Sequence, residues 1–364
     1  MTENSKPTVV LDVMGADDGP EGIIRGGLAA AEHLGESMRL ILVGIKDKID
    51  PILAGFGPLP TNVTVEQADA EVPMAISATD GVRIKDSSIA VGLNIVRHKR
   101  ADAFVSPGHT GAVMASSLLI LGRVRGVSRP AIAGAFPTST GRPCVVLDVG
   151  ANVDCKPHHL SQFAVMGSVY SQIVFNTKNP RVGLISIGEE RSKGNELIFA
   201  ARKLLSESHI NFVGNIEGRD ILAGTADVGV TDGFTGNILL KFGESVLPFL
   251  RKAVKHQVKT NLFSRIGVTL MGPFLRRINK TFDYAQVGGA PLLGVNGVVV
   301  ICHGSSNSVA ITNAVRVAHD MAKNRINECI HRELTANHFG KKDEPTDKSQ
   351  NHRDGVVCPT GSDN

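Results

Sequence analysis

The sequence predicts an α/β protein built on a largely parallel, helix-covered sheet, and two observations carry the prediction. Short apolar runs recur along the chain with room for a helix in most of the gaps, the pattern of βα alternation. Several of these runs pass directly into a Gly-rich polar turn that opens a helix: VVLDVMGADDGP (9–20), ADAFVSPGHTGAVM (101–114), DVGVTDGFTGN (227–237) and VVVICHGSSN (298–307). In an open sheet such turns lie at the carboxyl ends of the strands, where helix starts present unpaired N–H groups and a partial positive charge. Several converging turns make a pocket for an anion, phosphate above all.

Taken in order, strands are expected near 8–13, 39–43, 62–66, 102–105, 131–136, 144–148, 181–186, 211–213, 227–230 and 297–301. A helix is expected over 193–205 (KGNELIFAARKLL), with Leu197, Ala200, Ala201 and Leu204 on one stripe and Lys193, Gly194 and Asn195 at its start. From about residue 334 the pattern dissolves into a polar segment rich in turn formers, so 1–333 reads as one α/β domain and 334–364 as a disordered tail.

Composition narrows the classes. With 364 residues, 42% of them hydrophobic, and a mean hydropathy of +0.04, the chain can bury a large core as one domain or two joined halves. Asp12, Asp17 and Asp18 interrupt the amino-terminal apolar run, and no uncharged run reaches the ~18 residues of a spanning helix, so a cytoplasmic location is expected. Five cysteines without a CxxC pair suit reduced thiols. Cys155, His158 and His159 lack a second ligand pair at metal-site spacing, so no metal is expected. No Trp and two Tyr leave few stacking platforms, which argues against nucleic acid despite a net charge of +4.

The second signal is a charge run. Between Arg251 and Lys280 there are eight Lys or Arg and no Asp or Glu, interleaved with large apolar residues including Leu270, Met271 and Phe274. A solvated helix face usually mixes signs, whereas a basic apolar arm, here about 244–285, suits a membrane surface or an acidic protein partner. Arg251, Lys255 and Lys259 share one helix face by their four-residue spacing. The chain lacks G-x-G-x-x-G, the P-loop and the G-x-S-x-G elbow, which removes the usual dinucleotide, nucleotide and hydrolase readings.

The turns themselves resemble a known family. DVMGADDGPE (12–21), RIKDSS (83–88), SPGHTGAVMA (106–115), LDVGANVDCKP (147–157), KGNE (193–196), GNIEGRD (214–220), DGFTGN (232–237) and GGAPLLGVNGVVVICHGSSN (288–307) match, in order, the bacterial phosphate acyltransferases (phosphate:acyl-acyl-carrier-protein acyltransferases). The resemblance spans about 8–330. It implies a fold like the isocitrate and isopropylmalate dehydrogenases, kin to phosphotransacetylases, and transfer of a long-chain acyl group from acyl carrier protein to inorganic phosphate. It further implies a homodimer without metal or nucleotide cofactor. Its product feeds a membrane glycerol-3-phosphate acyltransferase, so the enzyme is expected to be peripheral at the inner face of the membrane.

Residue chemistry agrees. Phosphate is already an anionic nucleophile, so the protein must position it, stabilise the oxyanion and let a thiolate leave. Lys193 offers a cation and Asn237 an uncharged amide donor at the oxyanion position, while Asp232 is expected to orient its loop or hold Lys193. The matched motifs assign substrate contacts to Asp12, Gly15, Lys85, Gly108, His109, Thr110, Asn152, Asn195, Gly236, His303, Ser305, Ser306 and Asn307. The arm, through Arg251, Lys255, Lys259, Leu270, Met271 and Phe274, is assigned to the carrier protein and the membrane. One motif departs from the family: Pro107 and His109 stand where relatives have a small residue and an Asn, which leaves open what this loop contacts. Two other readings remain at this point, a coenzyme A-dependent phosphotransacetylase and a non-enzymatic acyl-protein adaptor.

Overall fold

The computed structural model describes residues 6–260, 271–272, 274, 288–339 and 358. Its strands form two sheets. The first holds β1 (Thr8–Asp12), β2 (Arg39–Gly44), β3 (Val63–Gln67), β4 (Ala103–Ser106), β5 (Ala131–Ile132), β11 (Ala290–Leu293) and β12 (Val298–Ile301), in the order β3-β2-β1-β4-β12-β11-β5. The second holds β6 (Gly134–Phe136), β7 (Cys144–Leu147), β8 (Val182–Ile185), β9 (Phe212–Ile216) and β10 (Val228–Val230), in the order β6-β7-β10-β8-β9. Pairing is parallel except where β11 meets β12 and β5, and where β6 meets β7.

The apolar runs form strands because both sheet faces are covered. In β1, Val9, Val10 and Leu11 have no exposed surface, and the same is true of Val145, Val146 and Leu147 in β7. Helix α6 (Pro157–Phe175) buries Leu160, Phe163, Ala164 and Tyr170, and Pro157 supplies its pre-set first turn. All ten expected strands are present within a residue or three. The run 131–136, expected as one strand, is divided: β5 edges the first sheet, β6 edges the second, and Ala133 N–H donates to the Pro291 carbonyl between them. Strand β11 was not anticipated, because Pro291 inside a short Gly-flanked segment reads as a turn.

Three further expectations change. The helix expected from 193 is α7 (Glu196–Ser206): Asn195 is its cap, and Lys193 and Gly194 precede it. At the carboxyl end, α10 (Ser308–Lys323) is followed by α11 (Ile326–Ala336), which runs through the expected boundary at 333 and buries Leu334. Cys329 in α11 is joined to Cys358 by a disulfide, against the expectation of reduced thiols, while Cys144, Cys155 and Cys302 are free. Spacing alone gave no sign that Cys358 returns to α11. Positions 340–357 and 359–364 of the expected tail lie outside the described residues.

Helix α9 (Gly233–Thr260) carries the start of the expected arm. Arg251 and Lys255 are exposed on it; the Lys259 side chain, Leu270 and the remaining basic residues from Arg265 onward lie outside what is described. Met271 and Phe274 are exposed. No helix among the described residues is long and apolar enough to cross a membrane.

Candidate active site

At the carboxyl end of the first sheet, the turn after β1 meets the turns after β4 and β12. Asp12, 1% exposed, sits where the three meet. Its carboxylate accepts the Ser106 hydroxyl at 2.7 Å and the Met14 N–H at 2.9 Å, and Ser106 Oγ in turn accepts the Gly108 N–H at 3.0 Å. Burial pushes the Asp12 carboxyl up to about 6, against these hydrogen bonds and one from Ser88, which pull it down. Gly15 has φ +75° and lies so near Gly108 that a Cβ would stand 2.8 Å from the Gly108 Cα. Only glycine fits both the conformation and the contact. Asp17 N–H donates to the Gly304 carbonyl at 2.9 Å, bringing the 303–307 turn against the first. Asp12, Gly15, Gly108 and Gly304 therefore belong to one cluster, with Lys85 exposed in the turn before α4 (Ser88–Arg97).

The polar residues of these turns are largely helix caps. His109 caps α5 (Thr110–Ile120): its Nδ1 accepts the Ala112 N–H at 3.2 Å and its Nε2 donates to the Ile76 carbonyl at 3.0 Å. One ring nitrogen thus does what a capping Asn does, and the other adds a tie that an Asn is too short to make. Thr110 opens the helix behind it. Asn307 caps α10 through Ala310 N–H, and Asn195 caps α7 through Ile198 N–H, each at 3.0 Å. His303 Nδ1 lies 2.7 Å from the Ser305 hydroxyl and accepts the Ser305 N–H; both side chains are exposed, while Ser306 is buried.

The carboxyl end of the second sheet holds the other cluster. Asp232 caps α9, accepting Thr235 N–H at 2.8 Å and its hydroxyl at 3.1 Å. Among the described residues no hydrogen bond or ion pair joins Asp232 to Lys193. Lys193 is exposed before α7, and its loop is held by Asn215, whose Nδ2 donates to the carbonyls of Glu190 and Lys193 at 3.2 and 3.1 Å. Asn237, one turn into α9, is exposed, and its side chain makes no hydrogen bond among the described residues. Asn152 Nδ2 donates to Pro130 O and to Asp148 Oδ2, so its amide hydrogens are committed to the fold. Gly233 N–H donates to the Asn152 carbonyl at 2.7 Å, and Gly236 presses its Cα against the Asp148 carbonyl.

Asp148 and Asn215 were not among the expected site residues. A signal for Asp148 is present, because VVLDV occurs twice, at 9–13 and 145–149. Each copy ends an inner strand on a buried Asp that accepts backbone N–H from the following turn, one for Asp12 (Met14) and three for Asp148 (Gly150, Ala151 and Asn152). Among the described residues no group of three or more His, Cys, Asp or Glu is arranged to hold a metal. Chemically, the two clusters offer helix-start N–H groups, the exposed ammonium groups of Lys85 and Lys193 and the exposed Asn237 amide, a set suited to an anion and a developing oxyanion.

Residues 8–329 match the model of the family described as fatty acid synthesis protein. The phosphate acyltransferase of Synechococcus elongatus is 46% identical over 329 residues, covering 90% of this chain and 94% of the relative. A phosphotransacetylase from Streptococcus pyogenes superposes with a TM-score of 0.59 at 17% identity, covering 87% of this chain and 94% of that one. The 4-hydroxythreonine-4-phosphate dehydrogenase of Klebsiella pneumoniae does so at 0.50 and 12%, over 89% and 100%, which bears out the dehydrogenase-like fold class. Matched over nearly its whole folded length, the chain belongs to the fatty acid synthesis protein family, whose members include proteins named phosphate acyltransferase.

Proposed function

We propose that this chain is a phosphate acyltransferase that moves a long-chain acyl group from the thioester of acyl carrier protein to inorganic phosphate, giving acyl phosphate for glycerophospholipid synthesis. The observation that carries the reading is 46% identity to a phosphate acyltransferase across 90% of the chain. A phosphate oxygen adds to the thioester carbonyl carbon, and the carbonyl oxygen becomes an oxyanion. Collapse then breaks the C–S bond and expels the phosphopantetheine thiolate, which takes a proton from water.

No side-chain nucleophile is needed, so the work falls on placement and electrostatics. In this reading Lys193 and the helix-start N–H groups of the Gly-rich turns bind phosphate, and the Asn237 amide donates to the oxyanion. Asp232 serves through its cap, fixing where α9 begins. No metal or nucleotide takes part.

Helix α9 supports docking beside this site. Phe234, Ile238, Phe242 and Phe249 are exposed along it and lead to the basic residues from Arg251. Acyl carrier protein is acidic and its cargo is apolar, so one arm suits both it and a lipid surface. The enzyme then works as a homodimer in the cytoplasm, peripheral to the membrane, and passes its product to a membrane glycerol-3-phosphate acyltransferase. Mass spectrometry of the purified protein with palmitoyl-acyl carrier protein and phosphate tests the reading. Acyl phosphate should form in chelator without added nucleotide; its absence, or formation only with a divalent ion or nucleotide, overturns it.

A further inference from the structure

Asp148 is fully buried, and its carboxylate collects more donors than any other in the second sheet. Oδ1 accepts the N–H groups of Ile132, Gly150 and Ala151 at 3.1, 3.2 and 3.0 Å. Oδ2 accepts the N–H and the side-chain amide of Asn152 at 2.6 and 2.9 Å. Every partner is a donor, so only the ionised carboxylate satisfies all of them. Burial raises the Asp148 carboxyl, and these bonds work against that rise.

What the carboxylate holds is the seat of α9. The 148–152 turn it folds presents the Asn152 carbonyl, which takes the Gly233 N–H at 2.7 Å. A Cβ on Gly233 would lie 2.6 Å from that carbonyl oxygen and 2.8 Å from Asp148 Oδ2, and one on Gly236 would lie 1.9 Å from the Asp148 carbonyl oxygen. The Asn237 side chain borders Gly150 in the same turn, within 3.5 Å of where a Cβ would stand. Two glycines thus let the helix rest directly on the turn, and the turn keeps its shape because one carboxylate holds four of its N–H groups or flanking amides from below.

We infer that Asp148 is a positioning residue for the reaction: by folding the 148–152 turn it sets the height of the first turn of α9 and so the place of the Asn237 amide. The inference rests on the proposed role of Asn237. Asp148 itself touches no substrate and acts through its neighbours.

A double-mutant cycle separates this role from a merely structural one. Asp148→Asn keeps the shape but turns an amide N–H₂ toward N–H groups, so the turn must refold. In the wild-type background D148N should lower kcat on the order of 10- to 100-fold, the range expected for misplacement near 1 Å, while KM for the acyl donor stays within about 3-fold. In an Asn237→Ala background the same change should cost less than about 3-fold, because the group it positions is gone. A structural role instead lowers the active fraction equally in both backgrounds, and that result overturns the inference. If N237A alone keeps most of its activity, the proposed role of Asn237 fails first and takes the inference with it. Should D148N not fold, Gly233→Ala lifts the helix from the same turn with the carboxylate intact, and the cycle with N237A reads the same way.

Discussion

Replacing Gly236 with Ala should separate the position of α9 from its existence. The added Cβ would stand 1.9 Å from the Asp148 carbonyl oxygen and 2.9 Å from its carbon, where real Cβ atoms keep beyond 3.0 Å. Both neighbours are backbone of a turn pinned from beneath, so the helix start must retreat by about 1 Å. Asn237 is the next residue and moves with it. A displacement of that size near reacting atoms costs about 100-fold in rate, or about 2.7 kcal/mol on the barrier. The overpacking itself costs about 1–3 kcal/mol of stability, so the melting temperature should fall by several degrees with the fold retained. Gly243→Ala on the same helix is the control: its Cβ would meet Phe136 Cε1 at 3.5 Å, an ordinary contact, and helix propensity should add up to about 1 kcal/mol. Steady-state formation of acyl phosphate, with phosphate and acyl carrier protein varied in turn, reads kcat and both KM values; circular-dichroism melts read stability. G236A with kcat within 2-fold of wild type would refute the claim that the seat of α9 governs turnover, whatever its melting temperature.

Three other perturbations test separate parts. Asn215→Ala removes both ties to the Lys193 loop and should raise KM for phosphate roughly 10-fold, on the scale of one lost hydrogen bond to a charged group's support; an unchanged phosphate KM removes Asn215 from the site. Asp12 has its folded carboxyl raised to about 6 from 3.8, so the folded state binds the extra proton between those values and the group's contribution to stability is lost as pH rises through 6. Wild type should therefore lose about 2 kcal/mol relative to Asp12→Asn between pH 4.5 and pH 8 in urea titrations; parallel curves would show that Asp12 is not held against ionisation. On the arm, replacing Arg251, Lys255 and Lys259 with Glu should raise KM for acyl carrier protein in low salt and less so in high salt, whereas replacing Phe242 and Phe249 with Ser should release the protein from anionic vesicles in flotation with turnover in solution retained. If neither variant changes either measurement, the arm has no docking role.

How much of this was legible in the sequence depends on the kind of information each residue carries. The strands were legible because Val9, Val10, Leu11 and their counterparts are buried on both faces, and burial writes itself as an apolar run. The turns were legible because Gly15 and its like accept conformations other residues resist. The use of the polar side chains between them was not. Asn195, Asn307 and His109 look like ligands in a list of turn residues, and each gives an acceptor to the helix N–H three residues on, as Asp232 does in the loop it was expected to orient. Capping and substrate binding select the same residue types at the same positions, since both answer the unpaired donors of a helix start. Strand β11 was hidden by Pro291, and the Cys329–Cys358 pair by distance along the chain.

The repeated VVLDV explains why two carboxylates can lie beneath a site proposed to bind a dianion. A bare carboxylate beside phosphate repels it, by several kcal/mol at short range in a poorly screened interior. Asp148 is surrounded by five N–H bonds and Asp12 by donors from Ser106 and Met14, so each charge is answered by dipoles that point inward at it. Apart from Ile132 in β5 and Ser106 at the end of β4, those donors belong to the turns after β1 and β7 that lead toward the site. A turn wrapped around a buried anion keeps its remaining N–H groups and the following helix start fixed in direction without any covalent or metal support. That rigidity matters most to an enzyme whose nucleophile needs no activation: with proton abstraction removed from the task, the rate depends on how narrowly the phosphate and the thioester carbonyl are held. The expected sharpness of the Gly236→Ala effect and the mild effect of Gly243→Ala on one and the same helix follow from this, since only the first lies between the helix and its buried anion.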